Sequence, residues 1–165
     1  MPKKQRLISR SDLATVNPLL DETNRRLLQE LHADPRLSMS ELARRVQMSA
    51  SAVTERVQRL EEAGVIAGYR MEVDPRAVGL PMAAFVRIRP MPGQLAKVAE
   101  LAQRTPEVVE CHRITGEDCF LMKVQVADIQ ALETTLDRFL AFAQTETSIV
   151  QSSPVPPRAV PLPMA

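Results

Sequence analysis

The chain has 165 residues, of which 45% are hydrophobic, and this content excludes a disordered chain and suits one large domain or two small ones. No apolar run approaches the ~20 residues of a membrane-spanning helix, and polar residues follow the basic N-terminus where a secretory signal would need an apolar core. We therefore expect a soluble, cytoplasmic protein. The formal net charge of +1 does not by itself indicate a nucleic-acid partner.

Two helices are predicted after a polar, unpatterned tail at residues 1–17. Asp21 can cap the first helix, which ends before Asp34-Pro35. The segment from Ser38 to Glu41 has the S-x-x-E spacing of a capping box and opens the second helix. The apolar stripes of these two helices are Leu27, Leu28, Leu31, Leu42, Ala43 and Val46.

A third, longer helix is predicted between Ser49, which can cap it, and Gly64, which can stop it. Two helices joined by a three-residue turn fit a helix-turn-helix. With Val53, Val57 and Leu60 turned inward, the outward face presents groups that can meet base edges in the major groove of DNA. The DNA-binding residues predicted on this turn and face are Ser49, Ser51, Thr54, Glu55, Gln58 and Arg59.

Arginines are concentrated around this predicted motif. Between Arg36 and Leu60, five arginines stand against two glutamates, a net charge of +3, and phosphate neutralisation supplies most non-specific affinity for DNA. We assign Arg44, Arg45 and Arg56 to phosphates because they lie nearer the flanks of the motif. The alternative is a structural three-helix subdomain with a solvated outer face, but the continuation into an extended segment, typical of winged modules, favours DNA binding.

The periodicity changes in the second half of the chain. Residues 65–73 are predicted to form a short wing or connecting strand, and Asp74-Pro75 marks a linker. Beyond it the order is βαββαβ, the split-βαβ or ferredoxin-like plan, so the fold class is α+β. Helices cover only one face of such a sheet, and a second copy is expected on the other. The predicted domains are 18–64 (helix-turn-helix), 65–80 (wing and hinge), 81–152 (ferredoxin-like) and 153–165 (Pro-rich tail).

Hydrophobic periods and turn residues predict each element of this second half. The elements are a strand at 82–89, a helix from Leu95 to Thr105-Pro106, strands at 107–114 and 119–126 around a turn at 115–118, a helix capped by Asp128, and a strand at 145–150. The apolar stripe of the last helix is Ile129, Leu132, Leu136, Phe139 and Leu140.

Cys111 and Cys119 are the two cysteines of the chain. With the turn centred on Gly116 and Glu117, the residue opposite Cys119 is near Ile114, so two reduced thiols are expected. His112 adds a third possible metal ligand, but the set has no close-spaced pair, and we predict no metal.

Long segments of both halves resemble the Lrp/AsnC (feast/famine) regulators. The resemblance lies in four stretches of the chain, residues 20–28, 40–46, 49–69 and 110–124. Motifs that follow the same order across two domains are much more specific than a lone helix-turn-helix. It implies a winged-type helix-turn-helix, a hinge strand, and a ferredoxin-like domain that pairs sheet-to-sheet into homodimers, which assemble into tetramers or octamers. It also implies an amino acid as effector. We expect a dimer of helix-turn-helices to bind pseudo-palindromic double-stranded DNA.

In that family the effector binds between dimers, near the turn after the second strand of the ferredoxin-like domain. The resemblance therefore assigns the residues of this turn to effector binding, namely Thr115, Gly116, Glu117, Asp118 and Cys119. Gly116 can adopt φ > 0 and let the backbone approach a ligand. Exposed N–H groups could take a carboxylate, and Glu117 or Asp118 an ammonium. The residues alone favour a plain hairpin turn with solvated acids, whereas the resemblance favours the ligand site.

Three positions depart from the family pattern. Gln47 stands where many relatives have glycine, and it should alter the turn little as long as its backbone stays out of the left-handed region. Cys119 stands where many relatives carry an acid, which weakens any inference to a particular effector. Residues 141–145 lack the usual Pro-Gly-Val.

Three kinds of function are compared. An effector-responsive regulator would change its assembly and DNA occupancy with ligand, and an effector-independent architectural protein would wrap DNA. An enzyme would need Cys119 or His112 as nucleophile or base, and no Ser/His/Asp set, phosphate loop or metal pair supports one. The sequence therefore predicts a sequence-specific transcription regulator without a cofactor.

Overall fold

The computed structural model describes residues 18–158, 160 and 161. The predicted N-terminal tail, residues 1–17, lies outside the described residues. The chain divides into two compact units, one reaching Arg70 and including the segment from Pro157, the other covering Met71–Pro156. Within the described ranges, none of the helices has the length and apolar character required to cross a bilayer.

The first unit is a three-helix cluster made of α1 (Glu22–Ala33), α2 (Met39–Val46) and α3 (Ala50–Glu62). The predicted caps are confirmed, because Asp21, Ser38 and Ser49 each accept a hydrogen bond from a backbone N–H of the first helical turn. The inward faces form one core. Its fully or nearly fully buried residues are Leu27, Leu31, Leu42, Ala43, Val46, Val53 and Val57.

The segment predicted as a short wing or connecting strand, residues 65–73, forms no strand within the single chain. The segment after α3 carries no strand, and a short 3-10 helix follows at Pro75–Val78. A strand needs a neighbour to satisfy its backbone N–H and C=O groups, and no described strand of this chain lies beside residues 65–73. Tyr69, Met71 and Val73 are accordingly exposed.

The second unit is an antiparallel four-stranded sheet with two helices. Its elements are β1 (Met82–Pro90), α4 (Leu95–Arg104), β2 (Val108–Arg113), β3 (Phe120–Val126), α5 (Ile129–Leu140) and β4 (Ala143–Ile149). The strand order β2-β3-β1-β4 is that of the predicted ferredoxin-like plan, and the α+β fold class is confirmed. Ala84, Val86 and Ile88 of β1 are fully buried, whereas Phe85 and Arg87 between them are exposed.

The helix stripe predicted for α5 is wrong at both ends. Leu132 and Phe139 are buried as expected, but Ile129 is 50% and Leu140 52% exposed. Between Leu132 and Phe139, the inner face of the helix carries Thr135, which is buried and donates its hydroxyl to the Ala131 carbonyl. A hydroxyl satisfied within its own helix costs little to bury, so hydropathy alone misplaced the stripe.

Candidate DNA-binding and effector surfaces

The turn between α2 and α3 orients the predicted recognition helix. Val46 ends α2, and the Met48 N–H donates to the Ala43 carbonyl at 3.0 Å. Gln47 adopts φ 57° and ψ 46°, the left-handed region. The condition under which Gln47 should alter this turn little, a backbone outside the left-handed region, is therefore not met, because closing the helix with this backbone bond requires a left-handed residue at that place.

The outward face of α3 carries the polar groups predicted to meet DNA. Ser51, Thr54, Glu55, Gln58 and Arg59 are all exposed, and Val53, Val57 and Leu60 are buried beneath them. The helix thus presents one continuous polar surface over three apolar anchors. The Ser49 hydroxyl accepts from the Ala52 N–H at 3.3 Å and lies 3.2 Å from the Ser51 hydroxyl, which places both side chains at the helix N-terminus.

Several polar groups of this face are already paired within the helix. Arg59 forms an ion pair with Glu55, the Gln58 amide donates to Glu62 at 2.9 Å, and the Thr54 hydroxyl donates to the Ala50 carbonyl. Exposed ion pairs contribute only about 0–1 kcal/mol to the stability of the folded protein. Base edges or phosphates can therefore replace these partners at small cost.

Two of the arginines assigned to phosphates lie on α2 and share a carboxylate. Arg44 is 77% exposed and contacts Glu41 at 2.6 Å, while Arg45 bridges Glu41 at 3.4 Å and Glu30 at 2.9 Å. The guanidinium of Arg44 holds the pKa of Glu41 below its ordinary value. These cations remain at the surface, where a DNA phosphate can compete for them.

Arg56, the third arginine assigned to phosphates, is placed differently. Its Nη1 donates to Asp21 Oδ2 at 2.8 Å and to Asn24 Oδ1 at 3.0 Å, so it ties α3 to the start of α1. The Arg56 hydrogen bond, followed by the Asn24 backbone N–H, holds the pKa of Asp21 below its ordinary value. Arg56 thus has structural partners, and a phosphate contact is the role its geometry supports least.

The predicted effector turn connects β2 and β3. Gly116 adopts φ 106°, a conformation that L side chains rarely adopt, while an added Cβ would meet no atom within 4 Å. Ile114 donates to the Cys119 carbonyl at 2.9 Å, and Cys111 lies opposite Met122, as expected for two separate thiols. The backbone conformation, and not lack of space, makes glycine necessary here.

An arginine that was missed by sequence reasoning lies against this turn. Arg89 Nη2 is 2.9 Å from Glu117 Oε2 and 3.3 Å from Asp118 Oδ1. Arg87 faces Glu146 across β1 and β4 at 3.7 Å. A cavity of about 170 Å³ lies among these groups, lined by Arg87, Arg89, Asp118, Gln144, Thr145 and Glu146. The alternation of β1 puts both arginines on one face, and that was the available signal.

The cysteines and histidine of the second unit form no recognisable reactive centre. Desolvation raises the pKa of the Cys111 thiol, which disfavours the thiolate needed by a nucleophile. No group of three His, Cys, Asp or Glu side chains within the ranges 18–158 and 160–161 is arranged to hold a metal ion.

Comparison with known proteins matches both units. Residues 20–67 match a winged helix-turn-helix DNA-binding domain, and residues 83–160 match the Lrp/AsnC ligand binding domain. The HTH-type transcriptional regulator LrpA of Mycobacterium tuberculosis is 41% identical over 133 residues, covering 80% of this chain and 89% of LrpA. This chain belongs to the Lrp/AsnC family. It is therefore a DNA-binding transcription regulator and not an enzyme.

Further Lrp/AsnC relatives share the same architecture. The regulator LrpC of Bacillus subtilis is 34% identical over 133 residues, covering 81% of this chain and 92% of LrpC. The feast or famine regulatory protein of M. tuberculosis, solved in complex with L-methionine, superposes with a TM-score of 0.80 at 37% identity, covering 87% of this chain and 99% of that structure.

Proposed function

We propose that this Lrp/AsnC regulator binds pseudo-palindromic double-stranded DNA in the cytoplasm as a homodimer, and that an amino acid bound at the turn from Thr115 to Cys119 alters its assembly. The observation that carries the DNA part is the exposed polar face of α3 above its buried anchors. The helix α3 has 13 residues, and an α-helix with its side chains is about 10–12 Å in diameter, which matches the major groove width of about 12 Å.

Arg59 on α3 and Arg44 on α2 have different roles in DNA binding. Arg59 lies among Glu55, Gln58 and Ser51 on the outward side of α3, where side chains can reach base edges and specify sequence. Arg44 lies on α2, the helix that in such motifs crosses the DNA backbone, where it can neutralise a phosphate without reading sequence.

Two arginine variants test this division. Arg59→Ala should lower the affinity for the specific site and relax discrimination at the contacted base pair by about 1–3 kcal/mol. Arg44→Ala should weaken specific and random DNA alike and reduce the slope of log K against log salt by about one. Fluorescence anisotropy with the protein's own upstream DNA and a scrambled duplex, over a salt series, measures both. Equal losses from both variants on both duplexes would contradict the assignment.

The uncovered face of the sheet supports a homodimer. The side chains of β1 opposite the core include Phe85, Arg87 and Arg89, all exposed. Carboxylates lie beside both arginines, so this face offers complementary charges around an apolar centre to a second copy. Higher assemblies, tetramer or octamer, would let one particle hold several DNA sites.

The effector part rests on the turn and on the matched ligand-binding domain. Sedimentation velocity of the full chain with its upstream DNA, repeated with each amino acid, tests it. One amino acid should shift the assembly size or the DNA affinity. If DNA binds and no amino acid changes either quantity, the architectural alternative replaces the effector-responsive one.

A further inference from the structure

We propose that residues 1–17, the N-terminal arm, are a second DNA-contacting element of this regulator, and that their cations bind phosphates beside the groove that α3 occupies. The inference rests on the proposed function, in which the outward face of α3 meets DNA. It adds a contact that lies outside the helix-turn-helix and does not read sequence.

The positive charge of the chain is unevenly distributed. The arm contains Lys3, Lys4, Arg6 and Arg10 against a single acid, Asp12. The other 148 residues contain 17 lysines and arginines against 19 aspartates and glutamates, a net charge of −2. Neutralised phosphates supply essentially all of the sequence-independent affinity for DNA, and the excess of cations that can neutralise them lies in the arm.

The helix-turn-helix itself offers little unpaired positive charge. Over residues 18–62, seven arginines stand against eight aspartates and glutamates. All four arginines on α2 and α3 pair with carboxylates, namely Arg44, Arg45, Arg56 and Arg59. Even where a phosphate replaces a carboxylate, the acid stays nearby, so the net attraction of these helices for a polyanion is small.

The arm joins the first unit beside the DNA-facing side of α3. Pro18 and Leu19 line a cleft of about 410 Å³ together with residues of α3 that include Ala52, Glu55 and Arg59. Glu55 and Arg59 belong to the outward face proposed to enter the major groove, and both are exposed. The chain that precedes Pro18 therefore starts at the edge of that face.

A buried hydrogen-bond network fixes this starting point. Asn24 is only 5% exposed. Its Nδ2 donates to the Leu19 carbonyl at 2.7 Å, and its Oδ1 accepts from Arg56 Nη1 at 3.0 Å. The Arg25 Nε donates to the Leu20 carbonyl at 3.0 Å. Because one buried amide joins the residues after the arm to α3, the arm starts at a set place relative to that helix.

The cations of the arm lie within reach of the flanking phosphates. Arg10 stands eight residues before Pro18, at most about 29 Å of extended chain. Lys3 stands fifteen residues before Pro18, at most about 54 Å. Both lengths exceed the major groove width of about 12 Å, so the arm can reach phosphates on either side of the groove while α3 stays in it.

Two triple variants of the full chain test this inference. The arm variant carries Lys4→Gln, Arg6→Gln and Arg10→Gln. The control variant carries the same change at one lysine and two arginines that are exposed on α4 and α5, namely Lys97, Arg104 and Arg138. Both variants lose three positive charges, so they differ in where the charge is removed and not in how much.

Fluorescence anisotropy with the upstream DNA and a scrambled duplex, over a salt series, compares the two variants. The arm variant should reduce the slope of log K against log salt by about two to three, because each lost phosphate contact removes about 0.9. Both duplexes should lose affinity by the same factor, at least about tenfold at the lowest salt, because phosphate contacts carry no sequence information. The control variant should keep the wild-type slope.

Hydroxyl-radical footprinting on the upstream DNA locates the contact. The wild type should protect backbone positions at the flanks of the site that the arm variant leaves open, and protection at the centre of each half-site should persist. An unchanged slope or footprint in the arm variant, an equal reduction in the control, or a loss confined to the specific duplex would overturn this inference while DNA binding by α3 stands. If the wild type binds neither duplex, the proposed function fails with it.

Discussion

Gln47→Gly should stabilise the helix-turn-helix unit, because Gln47 is the one non-glycine residue with positive φ among the described residues. A left-handed residue with a Cβ costs about 1–2 kcal/mol, whereas the greater freedom of glycine in the unfolded chain costs about 0.4–1 kcal/mol. The Gln47 side chain is exposed, and the local backbone bonds, including the one from Met48 to Ala43, survive the change. The net gain should be about 0.5–1 kcal/mol.

Native-state hydrogen exchange measures this gain locally. The amides of Val57 and Leu60, which lie in the buried part of α3, should exchange about two- to fivefold more slowly in the Gln47→Gly variant. Gln47→Ala is the control, because it removes the same side chain and keeps the Cβ, and its protection should stay near that of the wild type. If Gly and Ala variants are equally protected, left-handed strain at Gln47 is not a cost to this unit.

Two further changes test other parts of the structure. Because the pKa of Asp21 is lowered by Arg56, its charge stabilises the folded state above the ordinary pKa of about 3.9 and ceases to do so as pH falls through and below it. The stability lost by Asp21→Asn in urea denaturation should therefore be larger at pH 7 than at pH 3, and an equal loss at both values would contradict the ion pair. Gly116→Ala places a Cβ at φ 106° and should destabilise the second unit by about 1 kcal/mol or more. An unchanged urea midpoint for that unit would show that the turn relaxes freely.

Features set by neighbours in sequence were predictable. The caps at Asp21, Ser38, Ser49 and Asp128 each act within three residues, so a polar residue before an apolar period is enough to place the helix start. The alternation of β1 likewise separated the core face from the exposed face, because side chains of a strand alternate regardless of what lies beside them.

Features set by partners distant in sequence were not predictable. Arg56 was assigned to phosphate because the pattern of α3 cannot reveal Asp21, which lies 35 residues earlier and meets it only when α1 packs on α3. The position of Arg89 beside the predicted effector turn could not be predicted, because its contact with Asp118 spans 29 residues and depends on the register of β1 with β3.

The sequence by itself determined the helix-turn-helix, the βαββαβ order and the polar face of α3, since capping and hydrophobic period are local properties of the chain. Only the tertiary structure decided which charges meet. It pairs Arg56 with Asp21 and Arg89 with Glu117 and Asp118, because helix packing and strand register place those side chains. Residues 65–73 carry no strand, because backbone pairing needs a neighbour.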